Sequence, residues 1–189
     1  MASASPRLIT VDEFLAIEWD DSDVKAELDH GVIRIMRMMA GGSAAHSRVQ
    51  RNVLVALDIA FGGSGCSPHG SDMGVRTSDV ALRYPDVSVF CGKGELPDER
   101  ILAFDDPKLV VEVLSPTTRE KDVLNKLPEY RELASLDHIL YIDPEAETIR
   151  LLSRTGPRGW NDEEIAAGSD VVLSLLKVTL LWGDIFAHR

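Results

Sequence analysis

The chain has 189 residues, 44% hydrophobic and 27% charged, which suits one domain with a sizeable core and leaves little for two. A formal net charge of −11 and a pI near 4.8 argue against a general nucleic-acid binder. No apolar run approaches the ~20 residues of a membrane span, and the polar start Met1–Pro6 lacks a signal peptide's apolar region. Cys66 and Cys91 are too few for a disulfide framework, so the expected setting is a reducing cytoplasm.

In chain order, Thr10 and Glu13 form a capping box opening a short amphipathic helix on Val11, Phe14, Leu15 and Trp19. Ala26–Asp29 and Val32–Met38 read as strands joined by a tight turn at His30-Gly31. A helix from Ser43 carries Ala45, Val49, Val53, Leu57 and Ala60 on one stripe and ends at Gly62-Gly63. A glycine-rich loop over 62–67 follows, then strands around Met73–Thr77 and Val80–Cys91. The acidic, turn-rich 92–107 connection is expected at the surface. Beyond it, His138–Ile142 and Thr148–Ser153 suggest a hairpin about Pro144, Asn161–Glu164 an acidic approach to a strand at Val171–Leu175, and Leu180–Phe186 a short closing helix. Many hairpin-spaced strands with two long helices indicate an α/β domain with a mixed sheet, spanning residues 1–189 with its core over about 8–186.

The chemistry gathers around Val110-Val111-Glu112-Val113-Leu114. Aliphatic and β-branched residues surround one carboxylate, as in a strand buried on both faces. An ionised Glu there needs a metal ion or a cationic side chain to offset its lost hydration. Downstream, Thr117 and Glu120 form a capping box, and Asp122, Lys126 and Tyr130 recur every four residues on one helical face. Pro128 predicts a kink or break near 124–128. Asp86, after Pro85 at the head of another apolar strand, is the natural partner of Glu112. Converging carboxylates make a hard-oxygen site for Mg²⁺ or Mn²⁺. The plainer alternative makes Asp86 a turn cap and Glu112 one half of a core ion pair.

Other candidates are weaker. Cys66-x-x-His69 has half-zinc-site spacing but no second pair, so a loop with a buried thiol is expected. Ser64 among glycines is not a nucleophile elbow. His46, at a helix start, reads as a core or capping residue. From His30 to Leu57 the chain has no Asp or Glu but carries Arg34, Arg37, Arg48 and Arg51, a locally basic stretch on an acidic protein.

Taken together, Ala26-Glu27-Leu28-Asp29-His30-Gly31, the helix-opening His46, Tyr84-Pro85-Asp86-Val87-Ser88-Val89, Val111-Glu112-Val113-Leu114-Ser115-Pro116-Thr117-Thr118, Asp122 with Lys126 and Tyr130, and Tyr141-Ile142-Asp143-Pro144 occur in an order that resembles the Uma-type restriction-endonuclease-like family of the PD-(D/E)xK nuclease superfamily. The resemblance covers about Leu8 to Phe186. It implies a mixed sheet flanked by helices and a Mg²⁺- or Mn²⁺-dependent site cleaving DNA phosphodiesters. Asp86 and Glu112 would be metal ligands, with Val113 lending its carbonyl. Leu114 stands where the superfamily lysine is expected, so Lys126 is the migrated substitute, held by Asp122 or Glu27. His46, Arg48, Arg51 and Tyr130 would contact substrate, and a homodimer is compatible. The rival readings are a non-catalytic, antitoxin-like interaction module and a metal-dependent hydrolase of a small phosphoester. If Asp86 and Glu112 crowd negative charge, Glu112→Gln should raise apo-protein stability.

Overall fold

The computed structural model describes residues 7–19, 25–36, 43–92, 101–115 and 125–188. In chain order its elements are α1 (Val11–Leu15), β1 (Lys25–Asp29), β2 (Val32–Met36), α2 (Ala44–Phe61), β3 (Cys66–Gly70), β4 (Gly74–Ser78), β5 (Ala81–Arg83), β6 (Val87–Cys91), β7 (Ala103–Phe104), β8 (Pro107–Val113), α3 (Leu127–Glu132), β9 (His138–Asp143), β10 (Thr148–Arg154), β11 (Trp160–Ile165), β12 (Val171–Leu173), β13 (Val178–Leu180) and α4 (Trp182–Ile185). A six-stranded sheet runs β11-β10-β9-β8-β6-β3 and a five-stranded sheet β2-β1-β5-β4-β7, with β12 and β13 forming a separate hairpin.

β8 lies inside the larger sheet, antiparallel to β6 and parallel to β9. Its period-two alternation divides the core. Leu109, Val111 and Val113 join Val49, Val53 and Leu57 of α2, together with residues of the β12–β13 hairpin and α4. Val110 and Leu114 face the other way, towards Leu127 and Tyr130 of α3 and Val75 of β4. Glu112 shares the parity of this second face. A smaller cluster of Val11, Phe14, Ala26, Leu28 and Leu82 seals α1 onto the five-stranded sheet. Each fully buried aliphatic side chain contributes on the order of 1.5–3 kcal/mol.

Local chemistry explains the elements. Thr10 and Glu13 make the expected capping box. His30 and Gly31 both have positive φ, 48° and 78°, as a two-residue hairpin of the primed type requires. A Cβ on Gly31 would also lie 2.6 Å from Leu8 Cβ, so the position excludes larger residues twice over. Ser43 caps α2 by accepting the His46 N–H at 3.1 Å. The buried stripe of α2 ends on Phe61 rather than Ala60, four residues beyond Leu57.

Several expectations are corrected. The run Val80–Cys91 is two strands in different sheets, β5 and β6, separated at Tyr84-Pro85-Asp86. Cys66 is not a buried thiol in a loop. It lies on β3 directly opposite Cys91 on β6, and the two form a disulfide. Facing positions of an antiparallel pair bring side chains within bonding reach. This removes the half-zinc reading, and His69 packs its ring against Phe90 and Phe104. The acidic 160–165 stretch is itself the edge strand β11. The described helix carrying Tyr130 enters through a wider π-type turn at Asn125-Lys126 and is α-helical from Leu127, an irregularity at the place where Pro128 removes a backbone donor. The Thr117–Glu120 capping box and Asp122 lie outside the described residues, as does Arg37. No described helix is long and apolar enough to cross a membrane.

Candidate active site

The site forms where the C-terminal end of β8 meets the start of β6, between the two sheets. Val87 of β6 pairs with Val111 of β8, which places Asp86, one residue before β6, beside the Glu112–Val113 end of β8. The chain bends at Asp86, whose Oδ2 accepts the Val113 N–H at 2.7 Å. Gln50 of α2 donates to the Asp86 carbonyl at 3.0 Å. These bonds tie Asp86 to both β8 and α2.

His46 completes this corner. Its Nε2 is 3.4 Å from Asp86 Oδ2, and the ring also engages the Val113 backbone. The hydrogen bond to Asp86 holds the His46 pKa above its ordinary value against the opposing effect of burial. His46 is therefore more than the cap or core residue its position suggests, because its polar edge serves the carboxylate.

Glu112 is 3% exposed. Its Oε1 accepts from Lys126 Nζ at 3.1 Å and from the Tyr130 hydroxyl at 2.7 Å. Lys126 is 5% exposed, and its Nζ also lies 3.5 Å from Oε1 of Glu27, itself 1% exposed. Two carboxylates from different sheets thus share one buried ammonium. Tyr130 corrects the expectation of a substrate contact: it is fully buried and its hydroxyl is committed to Glu112. Burial first, and then the Glu112 charge, push its pKa well above the usual tyrosine range. Of the two arginines expected at the substrate, Arg48 bonds the His188 ring and Arg51 donates to Asn52 Oδ1 at 3.4 Å, both from α2. Arg34 sits on β2 beside Asp29.

Sequence reasoning missed Arg83. This residue is 3% exposed and bonded to Asp29 and Glu129, with Glu27 at 3.5 Å. The signal was available, since a cation inside Ala81-Leu82-Arg83 breaks an apolar run just as Glu112 does. Burial opposes the Arg83 charge, but the bonds to Glu129 and Asp29 outweigh it and raise its pKa. Asp29 is correspondingly held far below the carboxylate range, chiefly by Arg83. Three potential metal ligands, Asp29, His30 and Glu129, lie within 4.8 Å of one another here. The guanidinium already bridges Asp29 and Glu129, so the cation at that spot is arginine.

A family model described as "Uma2: Putative restriction endonuclease" matches residues 11–182. The chain belongs to the Uma2 family. An uncharacterized protein of Synechocystis sp., sll1609, is 27% identical over 180 residues, covering 94% of this chain and 99% of its own. A second uncharacterized Synechocystis protein, slr1290, is 28% identical over 123 residues, covering 65% of this chain and 64% of its own. A crystal structure titled a putative nuclease belonging to DUF820, from Anabaena variabilis, superposes with a TM-score of 0.68 at 21% identity, covering 95% of this chain and 98% of that one. This Uma2 chain therefore has the mixed α/β fold of that nuclease-like neighbour, and its family description is restriction-endonuclease-like.

The donors at the β6–β8 corner suit a hard divalent ion. Asp86 and Glu112 supply carboxylates and Val113 a carbonyl, and His46, a group able to carry positive charge, already engages Asp86 and Val113. Among the described residues, the wider network sets the carboxylates Glu27, Asp29, Asp86, Glu112 and Glu129 among the permanent cations Arg34, Arg83 and Lys126, with His46 beside Asp86.

Proposed function

We propose that this Uma2 protein is a Mg²⁺- or Mn²⁺-dependent endonuclease hydrolysing DNA phosphodiester bonds. The observation that carries the reading is the buried ammonium of Lys126, 3.1 Å from Glu112 and 3.5 Å from Glu27, next to the corner where Asp86 is tied to Val113. Burying a lysine among carboxylates carries a desolvation cost that its ion pairs must offset, and such buried charge clusters concentrate at functional sites.

In this reading Asp86, Glu112 and the Val113 carbonyl hold the ion. When bound, it lowers the pKa of a water and stabilises charge developing on the phosphate. Lys126 offsets negative charge at the phosphate or orients the attacking water, while Tyr130 fixes the rotamer of Glu112. His46 steadies Asp86 from the other side. Arg48 and Arg51, on the helix that carries His46, supply backbone contacts, because phosphate binding needs cations whatever the base sequence.

The test is Mn²⁺ titration with parallel cleavage of plasmid and linear DNA. Wild type should cleave with either metal, Asp86→Asn and Glu112→Gln should lose both metal binding and cleavage, and Lys126→Met should lose cleavage while still binding Mn²⁺. Full activity in Lys126→Met would overturn the assignment of that residue. The net charge of −11 favours a second reading, a small phosphoester as substrate, which a panel of phosphodiesters distinguishes from DNA.

A further inference from the structure

Among the described residues, Arg83 touches both Glu27, which faces the Lys126 ammonium, and Glu129, one turn along the helix from it. We infer that Arg83 is a positioning residue that sets the place of the Lys126 ammonium by two routes, through Glu27 and through the helix carrying the lysine. The inference rests on the proposed role of Lys126.

The first route is direct. Arg83 Nη1 lies 3.5 Å from Glu27 Oε2, while Glu27 Oε1 faces Lys126 Nζ at 3.5 Å and accepts the Tyr84 N–H at 3.3 Å. One carboxylate is thus held between guanidinium and ammonium, with a backbone donor fixing its rotation. The second route runs through α3. Arg83 Nε donates to Glu129 Oε2 at 2.8 Å and Nη2 to Glu129 Oε1 at 2.5 Å, a two-pronged bond that only a planar fork makes. Thr77 Oγ1 adds a bond to Glu129 Oε2 at 2.9 Å. Glu129 follows Lys126 by three residues, about one helical turn, so clamping Glu129 fixes the phase at which Lys126 leaves the helix start.

The geometry also separates the two sheets' contributions. Arg83 and Glu27 belong to the five-stranded sheet and Glu112 to the six-stranded one, with α3 between them. Lys126 is held at one end by Glu112 and at the other by what Arg83 organises. A lysine at 83 would keep the charge but not the fork, and so would hold Glu129 at one point in place of two and loosen the setting of the Lys126 end of α3.

The experiment uses the full chain and two readouts. The first is the acylation rate of Lys126 by a water-soluble amine reagent, mapped by mass spectrometry against exposed Lys177 under conditions where each variant is folded. The second is Mn²⁺-dependent DNA cleavage with kcat and KM separated. Arg83→Lys should raise Lys126 acylation at least tenfold relative to Lys177 and lower kcat at least tenfold, with KM within twofold. Glu129→Gln should shift both in the same direction by a smaller factor, and it carries the test if Arg83→Lys does not fold. Because Glu27 lies on the first route, Arg83→Lys with Glu27→Gln should fall well short of the product of the single effects on acylation. Unchanged Lys126 acylation in folded Arg83→Lys and Glu129→Gln would overturn the inference. If wild type cleaves no DNA with any metal, the nuclease reading fails, while the acylation arm still decides the role of Arg83.

Discussion

Glu112 accepts two hydrogen bonds on a single oxygen, from an ammonium and from a phenol, inside a region closed to water. Simple repulsion between neighbouring acids predicts that Glu112→Gln stabilises the apo protein. The ion pair reverses that sign. The amide removes the charge of the carboxylate nearest the buried Lys126 ammonium, and removing half of a buried pair is destabilising. We expect Glu112→Gln to lower apo stability by about 1–3 kcal/mol, read from the urea midpoint without metal; a higher midpoint would mean that acid repulsion dominates. His138 illustrates the opposite economy of charge. It is fully buried, bonds Ser153 through Nδ1 and accepts the Leu175 N–H on Nε2, and burial depresses its pKa to about 4. The unfolded chain therefore binds this proton first as pH falls. Stability should be complete above pH 6.5 and decline between 6.5 and 4, by roughly 3 kcal/mol. Urea unfolding at pH 7 and pH 5 of wild type and His138→Gln should show the steeper loss in wild type.

At the scale of elements, α2 holds the C-terminal end through Asn52, whose Nδ2 donates to the carbonyls of Ile185 and Ala187 at 3.1 and 2.8 Å. Asn52→Ala leaves both carbonyls without that donor. The expected cost is about 1–3 kcal/mol, with faster protease cleavage after α4 than elsewhere. Uniform cleavage kinetics would place the anchor in the apolar contacts of Ile185 and Phe186 instead. Elements written in local patterns were legible from sequence: the stripe of α2, the apolar run of β8, and the β1–β2 and β9–β10 hairpins with their turns. β3, Cys-Ser-Pro-His-Gly, and β11, Trp-Asn-Asp-Glu-Glu-Ile, carry no such pattern. They are strands because β6 and β10 offer them ladders, a tertiary cause that single-residue propensity does not contain. The site divides in the same way. Asp86, Glu112 and Lys126 stood out as charges against apolar or helical patterns, whereas the grip of Arg83 on Glu27, Asp29 and Glu129 exists only once β1, β5 and α3 meet.

Across the whole molecule, the Cys66–Cys91 bond fastens edge strand β3 to β6 and closes a loop with a sequence separation of 25. Chain-entropy reasoning gives such a cross-link about 3 kcal/mol. The Cys66→Ser/Cys91→Ser variant should melt well below oxidised wild type and close to wild type kept in reductant. Equal melting of all three would mean that native contacts alone hold β3.

The parallel pairing of β8 with β9 also imposes an order in time on a growing chain. Glu27 and Asp86 leave the ribosome long before Lys126, and β8 has its second neighbour only after residues 138–142 have been made. A nascent or truncated chain ending before β9 carries the acids of the site without the pairing that closes β8 on both sides. The geometry around Glu112 is then completed late in synthesis, once β9 has paired with β8.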